Sequence, residues 1–361
     1  MHLLEYFQEL RPQNHTFYPR KLQLPEDCPF VLEGARGVGK TTLILAYLQE
    51  LPEEVWLYID CQDPIFALED IDSDTLESFI REEEIETVVL DHYYEGFLEH
   101  LPDCFQLILV SREPQTASSL PRLTLYPLDY EEFLSFDRGT SPESSFNHFL
   151  RAGTLPVVSP IHPQAFPLMM RHFFYASFDE DESRLMLILA RYQGRRVTTH
   201  QLYTYAKESF RISKDWIYRT IKRFTQEGLI LFVEDTEGKG ARKMILYDFA
   251  LSKYLSKSQP FPITFDAMVV LALFKHDIPF KALGIHGYLI HSNQLVIPSA
   301  FENEESFWQK AYNKIHLYQK HHITHITIVT VSNQYSFRLN DILFEAMPFY
   351  EWSILNELPE A

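Results

Sequence analysis

The chain has few cysteines: Cys28, Cys61 and Cys104 are the only three among 361 residues, and they lie far apart. An even set would predict a disulfide framework, and close pairs would predict a zinc site. Neither pattern is present. Sparse, unpaired cysteine is typical of a reducing compartment, so we expect a cytoplasmic protein.

Long apolar segments and a secretion signal are also lacking. The longest apolar run, near 267–274, is far shorter than the roughly 20 residues of a membrane-spanning helix. The amino-terminal sequence MHLLEYFQEL has acidic residues within its apolar pattern and no basic start or small-residue cleavage site. It predicts a short amphipathic helix, and we expect a soluble protein with no membrane partner.

Basic residues are scarce overall, with 32 Lys and Arg against 50 Asp and Glu and a formal net charge of -18. Such a deficit argues against a nucleic-acid partner, because phosphate binding usually needs a basic face. However, residues 184–257 hold 15 Lys and Arg against 7 Asp and Glu, a local charge of +8. If duplex DNA is a partner, we expect it to bind this segment.

The length predicts two or three domains, because 361 residues exceed what one hydrophobic core usually serves. Residues 1–155 alternate strand-like and helix-like stretches, a pattern typical of an α/β fold with a parallel sheet covered by helices. The predicted strands are 30–33, 55–60, 87–91, 106–111 and 123–125. The predicted helices between them are 41–51, 73–83 and 94–101.

Four prolines between 156 and 167 predict a linker or lid over 156–181. Residues 182–258 then follow the order helix, helix, long helix and two strands around a Gly-rich turn, which predicts a winged helix-turn-helix. Residues 262–361 predict a third, α+β unit. Its predicted elements are a helix at 265–274, strands at 287–291 and 294–298, a helix at 304–319 and a strand at 323–331.

A complete phosphate-binding motif lies between the first predicted strand and helix. It comprises Gly34, Ala35, Arg36, Gly37, Val38, Gly39, Lys40, Thr41 and Thr42. Backbone N–H groups of such a loop wrap the phosphates of ATP, Lys40 would neutralise the β and γ oxygens, and Thr41 would ligate Mg²⁺. The alternative is an ordinary Gly-rich turn at a helix start. Arg36 is expected to face solvent.

The apolar strand 87–91 ends in Asp91, the predicted second ligand of Mg²⁺. The alternative is a helix-capping aspartate on an ordinary buried strand. Many ATPases have a glutamate next, which activates the attacking water, but this chain has His92. Either His92, Glu95 or a partner subunit replaces that base, or hydrolysis is slow and the protein acts mainly as a switch.

Three further residues are candidates for contacts with the γ-phosphate. Ser111 ends the predicted strand 106–111 and is a candidate for orienting water, and Arg112 follows it. Arg112 and Arg122 are arginine-finger or sensor candidates, since a guanidinium stabilises charge on a transferred phosphoryl group. The alternative for both arginines is a surface salt bridge with the abundant carboxylates.

These motifs resemble a family of bacterial and archaeal AAA-type P-loop ATPases that carry a winged helix and a restriction-nuclease-like C-terminal domain. The matching stretches are the P-loop and residues 88–91, 125–134 and 146–156. The family commonly has Asp-Glu where this chain has Asp91-His92, and this departure argues against efficient ATP hydrolysis. It often carries carboxylates and a lysine on C-terminal strands, whereas residues 295–300 read LVIPSA. The resemblance therefore implies a degenerate nuclease-like domain.

The predicted winged helix carries the candidate DNA contacts. They are Lys214, Arg219, Lys222 and Arg223 on the third helix and Lys239, Arg242 and Lys243 on the hairpin. These cations are suited to grip phosphates from two sides. The alternative is a structural lid or a protein-contact module, and a homo-oligomer or protein partner is equally open.

A cluster of His321, His322 and His325 suggests a metal site, but the Ile- and Thr-rich surroundings predict a strand, where that spacing does not put ligands together. We therefore expect no metal there. The sequence as a whole predicts an ATP-binding protein, a slow ATPase whose nucleotide state repositions the winged helix. The alternative is a non-enzymatic, ATP-dependent DNA-binding regulator or scaffold.

Overall fold

The structure is a computed structural model that describes residues 2–10, 17–113, 119–137, 139, 141–238, 240–256, 258–290 and 293–354. The chain divides into two compact units. The first comprises Met1–Pro127 and Gln226–Gly228, and the second comprises Leu128–Thr225 and Leu229–Ala361. The domain boundary predicted near 155 therefore falls within the second unit.

The first unit is a parallel sheet with helices. Its elements are α1 (His2–Glu9), β1 (Phe30–Glu33), α2 (Lys40–Leu48), β2 (Trp56–Asp60), α3 (Ser73–Glu82), β3 (Thr87–Asp91), β4 (Gln106–Val110) and β5 (Arg122–Thr124). The strand order is β2-β3-β4-β1-β5, and every pair is parallel. The predicted α/β fold with a parallel sheet is confirmed.

Burial explains why the strands of this sheet could be predicted from the sequence. All five positions of β3 and of β4 are buried, as expected for parallel strands covered on both faces. Leu76, Phe79 and Ile80 lie on one face of α3 and pack in the same core. The Asp72 side chain accepts a hydrogen bond from Thr75 N and caps this helix.

The predicted helix at 94–101 is wrong. These residues form turns, with Phe97 N donating to Tyr94 O at 3.1 Å. Gly96 has a φ of 92°, a left-handed conformation that interrupts a helix. The apolar residues that suggested a helix, Phe97 and Leu98, pack against the core of the sheet instead.

The second unit begins with helices and a small sheet. Its first elements are α4 (Tyr130–Phe136), α5 (Pro142–Ala152), α6 (Phe166–Ser177), α7 (Glu180–Arg191), β6 (Arg196–Val197), α8 (Thr199–Ser209), α9 (Lys214–Gln226), β7 (Ile230–Val233) and β8 (Arg242–Leu246). The segment predicted as a linker, 156–181, thus contains α6. The three strands form an antiparallel sheet in the order β6-β8-β7.

The remaining elements of the second unit build a mixed sheet. They are α10 (Phe249–Ser256), α11 (Phe261–Lys275), β9 (Phe280–Ala282), β10 (Tyr288–Ile290), β11 (Gln294–Pro298), α12 (Glu304–Lys320), β12 (His325–Thr330), β13 (Tyr335–Leu339), β14 (Ile342–Pro348) and α13 (Phe349–Trp352). The sheet order is β13-β14-β12-β11-β10-β9, with β11, β12 and β14 parallel.

Three strands of this sheet, β9, β13 and β14, were not predicted. β13 is half-buried or exposed at every position, so it lacks the apolar run that marks a buried strand. β9 has only three residues. It bonds to the chain after β7: Thr236 N donates to Ala282 O at 2.9 Å, and Ala282 N donates to Glu234 O at 2.7 Å.

None of the helices among the described residues combines the length and the hydrophobicity that a membrane-spanning helix needs.

Candidate nucleotide-binding site

The P-loop joins the end of β1 to the start of α2, and two of its glycines are required by the backbone. An added Cβ at Gly34 would lie 2.3 Å from Leu125 O, so no side chain fits there. Gly39 precedes α2 with a φ of 92°, in the left-handed region that glycine adopts without strain. The loop therefore turns sharply and presents the amino terminus of α2, which attracts anions.

The ammonium group of Lys40 lies against the loop. Its Nζ donates to Gly34 O at 2.7 Å and to Ala35 O at 3.0 Å. Burial lowers the pKa of Lys40 to about 8, although the nearby carboxylate of Asp91 acts in the opposite direction. A partly desolvated cation held in this way interacts strongly with a phosphate, because water screens it less.

The two predicted magnesium ligands are in direct contact. Thr41 Oγ1 donates to Asp91 Oδ2 at 2.6 Å, although β4 lies between β1 and β3 in the sheet. Asp91 is fully buried and also accepts from Tyr58 OH at 2.8 Å and from its neighbour His92 N at 2.7 Å. A hydroxyl and a carboxylate are oxygen donors of the kind that Mg²⁺ binds, so this pair fits the ion.

His92 forms a pair that the sequence did not reveal. Its Nδ1 lies 2.8 Å from Asp60 Oδ1, and its φ of 54° turns the chain sharply after β3. The hydrogen bond with Asp60 raises the pKa of His92 against the effect of burial. Asp60 ends β2 and is in register with Asp91 at the end of β3. Two aspartates at matching strand ends were the available signal, since such ends meet at one edge of a parallel sheet.

The remaining catalytic candidates differ in position. Ser111 is buried, and its Oγ donates to Glu113 O at 2.8 Å. Arg112 Nη2 lies 3.4 Å from Gln62 Oε1, and its charge contributes to lowering the pKa of Lys40. Arg122 Nε lies 3.9 Å from a carboxylate oxygen of Glu33, next to the P-loop.

Arg36 does not face solvent, and that expectation is wrong. Only 8% of the residue is exposed, and its guanidinium forms two hydrogen bonds with Glu227. Arg36 Nε lies 3.1 Å from Glu227 Oε2, and Nη2 lies 3.3 Å from Oε1. The two residues are 191 positions apart, so no local pattern predicts the pair.

Arg20 was also missed by the sequence analysis. Its Nη1 donates to Val38 O and its Nη2 to Tyr126 O, both at 2.7 Å. One side chain thus connects the P-loop to the chain that follows β5. Arginine in an irregular segment carries no sequence signal for such a role, because both of its partners are backbone carbonyls.

The candidate DNA contacts separate into two groups. Lys214, Arg219, Lys222 and Arg242 are exposed. By contrast, Arg223 pairs with Glu182, and Lys243 Nζ lies 2.5 Å from Asp266 Oδ2 and 2.6 Å from Tyr288 OH. Lys239 lies outside the described residues.

The C-terminal histidines lie around the end of one helix and the start of one strand. His321 follows α12, His322 has a φ of 55°, and His325 begins β12, where its Nε2 lies 2.8 Å from Glu345 Oε2. Throughout the part of the chain that the structure describes, no three His, Cys, Asp or Glu side chains are grouped to hold a metal ion.

One comparison with known proteins, a match to a family model, agrees with this geometry. Residues 27–107 match the family model of an AAA domain. No curated protein matches the chain. The family match falls within the first unit, which holds the parallel sheet and the P-loop, and it covers less than half of the chain.

Several solved structures are similar to this chain at low identity. A Walker-type ATPase of Pyrococcus abyssi shares 14% identity, with a TM-score of 0.43 over 63% of this chain and 90% of that chain. The ORC1 protein of Aeropyrum pernix in complex with DNA shares 13%, with a TM-score of 0.30 over 65% and 87%. Drosophila ORC bound to DNA shares 14%, with a TM-score of 0.25 over 64% and 89%.

Proposed function

We propose that this protein binds MgATP at the P-loop and hydrolyses it slowly, as a switch whose nucleotide state repositions the winged helix. The observation that carries the proposal is the 2.6 Å hydrogen bond between Thr41 Oγ1 and Asp91 Oδ2. It brings the hydroxyl that follows Lys40 together with the carboxylate of Asp91, which ends β3. This is the arrangement that a P-loop needs to hold Mg²⁺ beside the phosphates.

Each residue of the site has a defined role in this proposal. The backbone N–H groups of the loop and the start of α2 bind the β-phosphate, and Lys40 neutralises the β and γ oxygens. Thr41 and Asp91 would hold Mg²⁺, which would neutralise charge on the phosphates during transfer. Tyr58, through its hydrogen bond, fixes the carboxylate of Asp91.

Slow turnover is proposed because the residue after Asp91 is not a carboxylate. His92 stands there, and its Nδ1 is engaged with Asp60 at 2.8 Å. Slow hydrolysis would therefore reset a switch between the ATP-bound and ADP-bound states. The competing hypothesis is a scaffold that needs ATP only for folding, and steady-state phosphate release separates the two.

The test of nucleotide binding is a thermal-shift measurement on the full chain with Lys40→Ala. Saturating MgADP should stabilise the wild type by a few kcal/mol and the variant far less, because binding to the folded state alone raises stability. Lys320→Ala, which removes an exposed lysine from α12, is the matched control and should behave like the wild type. Equal stabilisation of wild type and Lys40→Ala would refute the P-loop assignment.

A second proposed function is weak, nonspecific binding of duplex DNA by residues 184–257. The order α7, β6, α8, α9, β7, β8 supports a winged helix-turn-helix, with α9 in the position of the recognition helix. The specific observation is that Lys214, Arg219, Lys222 and Arg242 are exposed. Phosphate-led binding of this kind should weaken steeply with salt in a titration of labelled duplex.

The C-terminal sheet is proposed to be a degenerate nuclease-like domain that does not cut DNA. The order α11, β9, β10, β11, α12, β12 supports the assignment, and β11 reads QLVIP, without a carboxylate or lysine. Plasmid incubated with Mg²⁺ or Mn²⁺ should stay intact. Cleavage that survives Lys40→Ala and is lost without residues 262–361 would contradict this.

A further inference from the structure

Arg36 and Glu227 form a buried charge pair at the P-loop. Their side chains are 9% and 1% exposed, and two parallel hydrogen bonds of 3.1 and 3.3 Å join the guanidinium to the carboxylate. Taking two charges out of water costs much of what their attraction returns, so such a pair contributes little net stability. A pair placed in a ligand-binding loop therefore calls for a role other than stability.

The pair lies next to the groups that bind phosphate. Lys40 Nζ bonds to the carbonyls of Gly34 and Ala35, the two residues that precede Arg36. Burial is the main influence on the pKa of Lys40, and Glu227 and Arg36 also act on it in opposite directions. Both charges are thus within electrostatic range of the ammonium group that would contact the β- and γ-phosphates.

The carboxylate of Glu227 and a phosphate group are competing acceptors for Arg36. A guanidinium presents a planar fork of N–H donors that binds either group with two hydrogen bonds. A phosphate group offers more negative charge than a carboxylate does. A nucleoside triphosphate brings one phosphate group more than a diphosphate to the same loop.

We propose that Arg36 exchanges Glu227 for the terminal phosphate of a bound nucleoside triphosphate, so that Glu227 sets the preference of the site for triphosphate over diphosphate. This inference rests on the proposed function, because it presupposes a nucleotide at the P-loop. Arg36 becomes a ligand-binding residue, and Glu227 becomes a positioning residue that acts through it.

The position of Glu227 in the chain links this exchange to α9. Glu227 directly follows the last residue of α9, and Gln226–Gly228 group with the first unit whereas the flanking residues group with the second. Gly228 has a φ of 76°, which turns the chain after the helix. When Arg36 leaves Glu227, the segment Gln226–Gly228 loses this bond to the P-loop.

The experiment compares affinities for MgADP and for a non-hydrolysable MgATP analogue by calorimetry on the full chain. In Glu227→Gln the amide binds Arg36 more weakly than the carboxylate, so preference for the triphosphate should rise about tenfold. Arg36→Gln should reduce the preference below that of the wild type. Glu54→Gln, which removes an exposed acid from the same unit, is the control and should change nothing.

The double variant Arg36→Gln/Glu227→Gln identifies the mechanism. If Glu227 acts through Arg36, the double variant should show the low preference of Arg36→Gln. A tenfold rise that persists without Arg36 would mean that Glu227 merely repels phosphate, and the inference would be wrong. An unchanged preference in Glu227→Gln would also overturn it.

Glu227→Asp provides a second variant if Glu227→Gln does not fold, because it keeps the charge and shortens the reach. Its preference for the triphosphate should lie between those of the wild type and Glu227→Gln, and equality with the wild type would count against the inference. A different result would refute the proposed function itself. If the wild type binds neither nucleotide, the P-loop assignment is wrong. If the wild type binds nucleotide but Glu227→Gln leaves the preference unchanged, only the role of Glu227 is refuted.

Discussion

The P-loop and the basic segment 184–257 use charged residues in opposite ways. At the P-loop, Lys40 and Arg36 are held by neighbouring carbonyls or by a buried carboxylate. On α9, Arg219 and Lys222 are exposed. Water screens exposed charges strongly and buried charges weakly. A single charge change should therefore have a large effect at the P-loop and a small one on α9.

The largest effect is expected on the rate of ATP hydrolysis, when the residues that follow or end β3 and β2, His92 and Asp60, are replaced. His92→Glu supplies the carboxylate that many ATPases have after the magnesium-binding aspartate, but it would place that carboxylate near Asp60, which lies 2.8 Å from His92 Nδ1. Two carboxylates so close cannot both ionise easily. We therefore expect His92→Glu/Asp60→Asn to raise turnover about 100-fold, the lower range for a general base, and His92→Glu alone to raise it less.

Phosphate release under steady-state conditions measures this prediction, with Asp60→Asn as the control. Fast turnover in the wild type that is lost in both His92→Glu and Asp60→Asn would show that the pair of His92 and Asp60 itself activates the attacking water. In that case the description of the protein as a slow switch would be wrong.

A smaller effect is expected from pH on the affinity for MgADP. Burial lowers the pKa of Lys40 to about 8, so its protonated fraction falls from about nine-tenths at pH 7 to about one-tenth at pH 9. The positive charge is present below that pKa and is lost above it. Affinity for MgADP should therefore fall about tenfold from pH 7 to pH 9.

Calorimetry across this range tests the pH dependence, and Lys40→Arg is the control. A guanidinium stays protonated throughout, so the affinity of this variant should not change with pH. A tenfold fall in Lys40→Arg as well would assign the pH dependence to another group.

The smallest effect is expected on DNA binding, and it distinguishes exposed from paired cations within the basic segment. Replacing Arg219 and Lys222 by Gln should lower the slope of log affinity against log salt by about 1.8, since each phosphate contact contributes about 0.9. Replacing Arg223 and Lys243 should leave the slope nearly unchanged, because Glu182 and Asp266 already neutralise them. Titrations of duplex DNA between 50 and 200 mM salt, roughly the range in which such slopes are measured, give both values.

The outcome that contradicts this prediction is an equal loss of slope in both double variants. Such a result would mean that the ion pairs of Arg223 and Lys243 open on DNA. Absence of binding at low salt by the wild type would instead favour a protein-contact role for α9.

The fold was predictable where the sequence carries a continuous apolar pattern. The bounds predicted for β1, β3 and β11 agree with the structure, because each is a short apolar run with turn residues beside it. The strands β13 and β14 were missed. β13 is an edge strand with every position half-buried or exposed, and β14 alternates buried and half-buried positions. An edge strand such as β13 needs little burial, so its sequence resembles that of a loop.

The P-loop could be predicted from the sequence alone, since its backbone imposes residue types on consecutive positions. Gly34 must lack a Cβ because Leu125 O lies so close, and Gly39 must adopt a positive φ before α2. Such requirements appear as a motif in one short segment. Asp91 could also be predicted from the sequence, because it ends a short apolar run that forms a fully buried strand.

Only the tertiary structure decided the partners of these residues. Asp60 reaches His92 across neighbouring strands, Arg20 reaches Val38 from an irregular segment, and Glu227 reaches Arg36 over 191 positions. Hydrogen bonds between distant residues depend on strand order and on how the chain returns to the P-loop. Local sequence determines backbone conformation, whereas the burial and pairing of charges depend on which distant segments pack together.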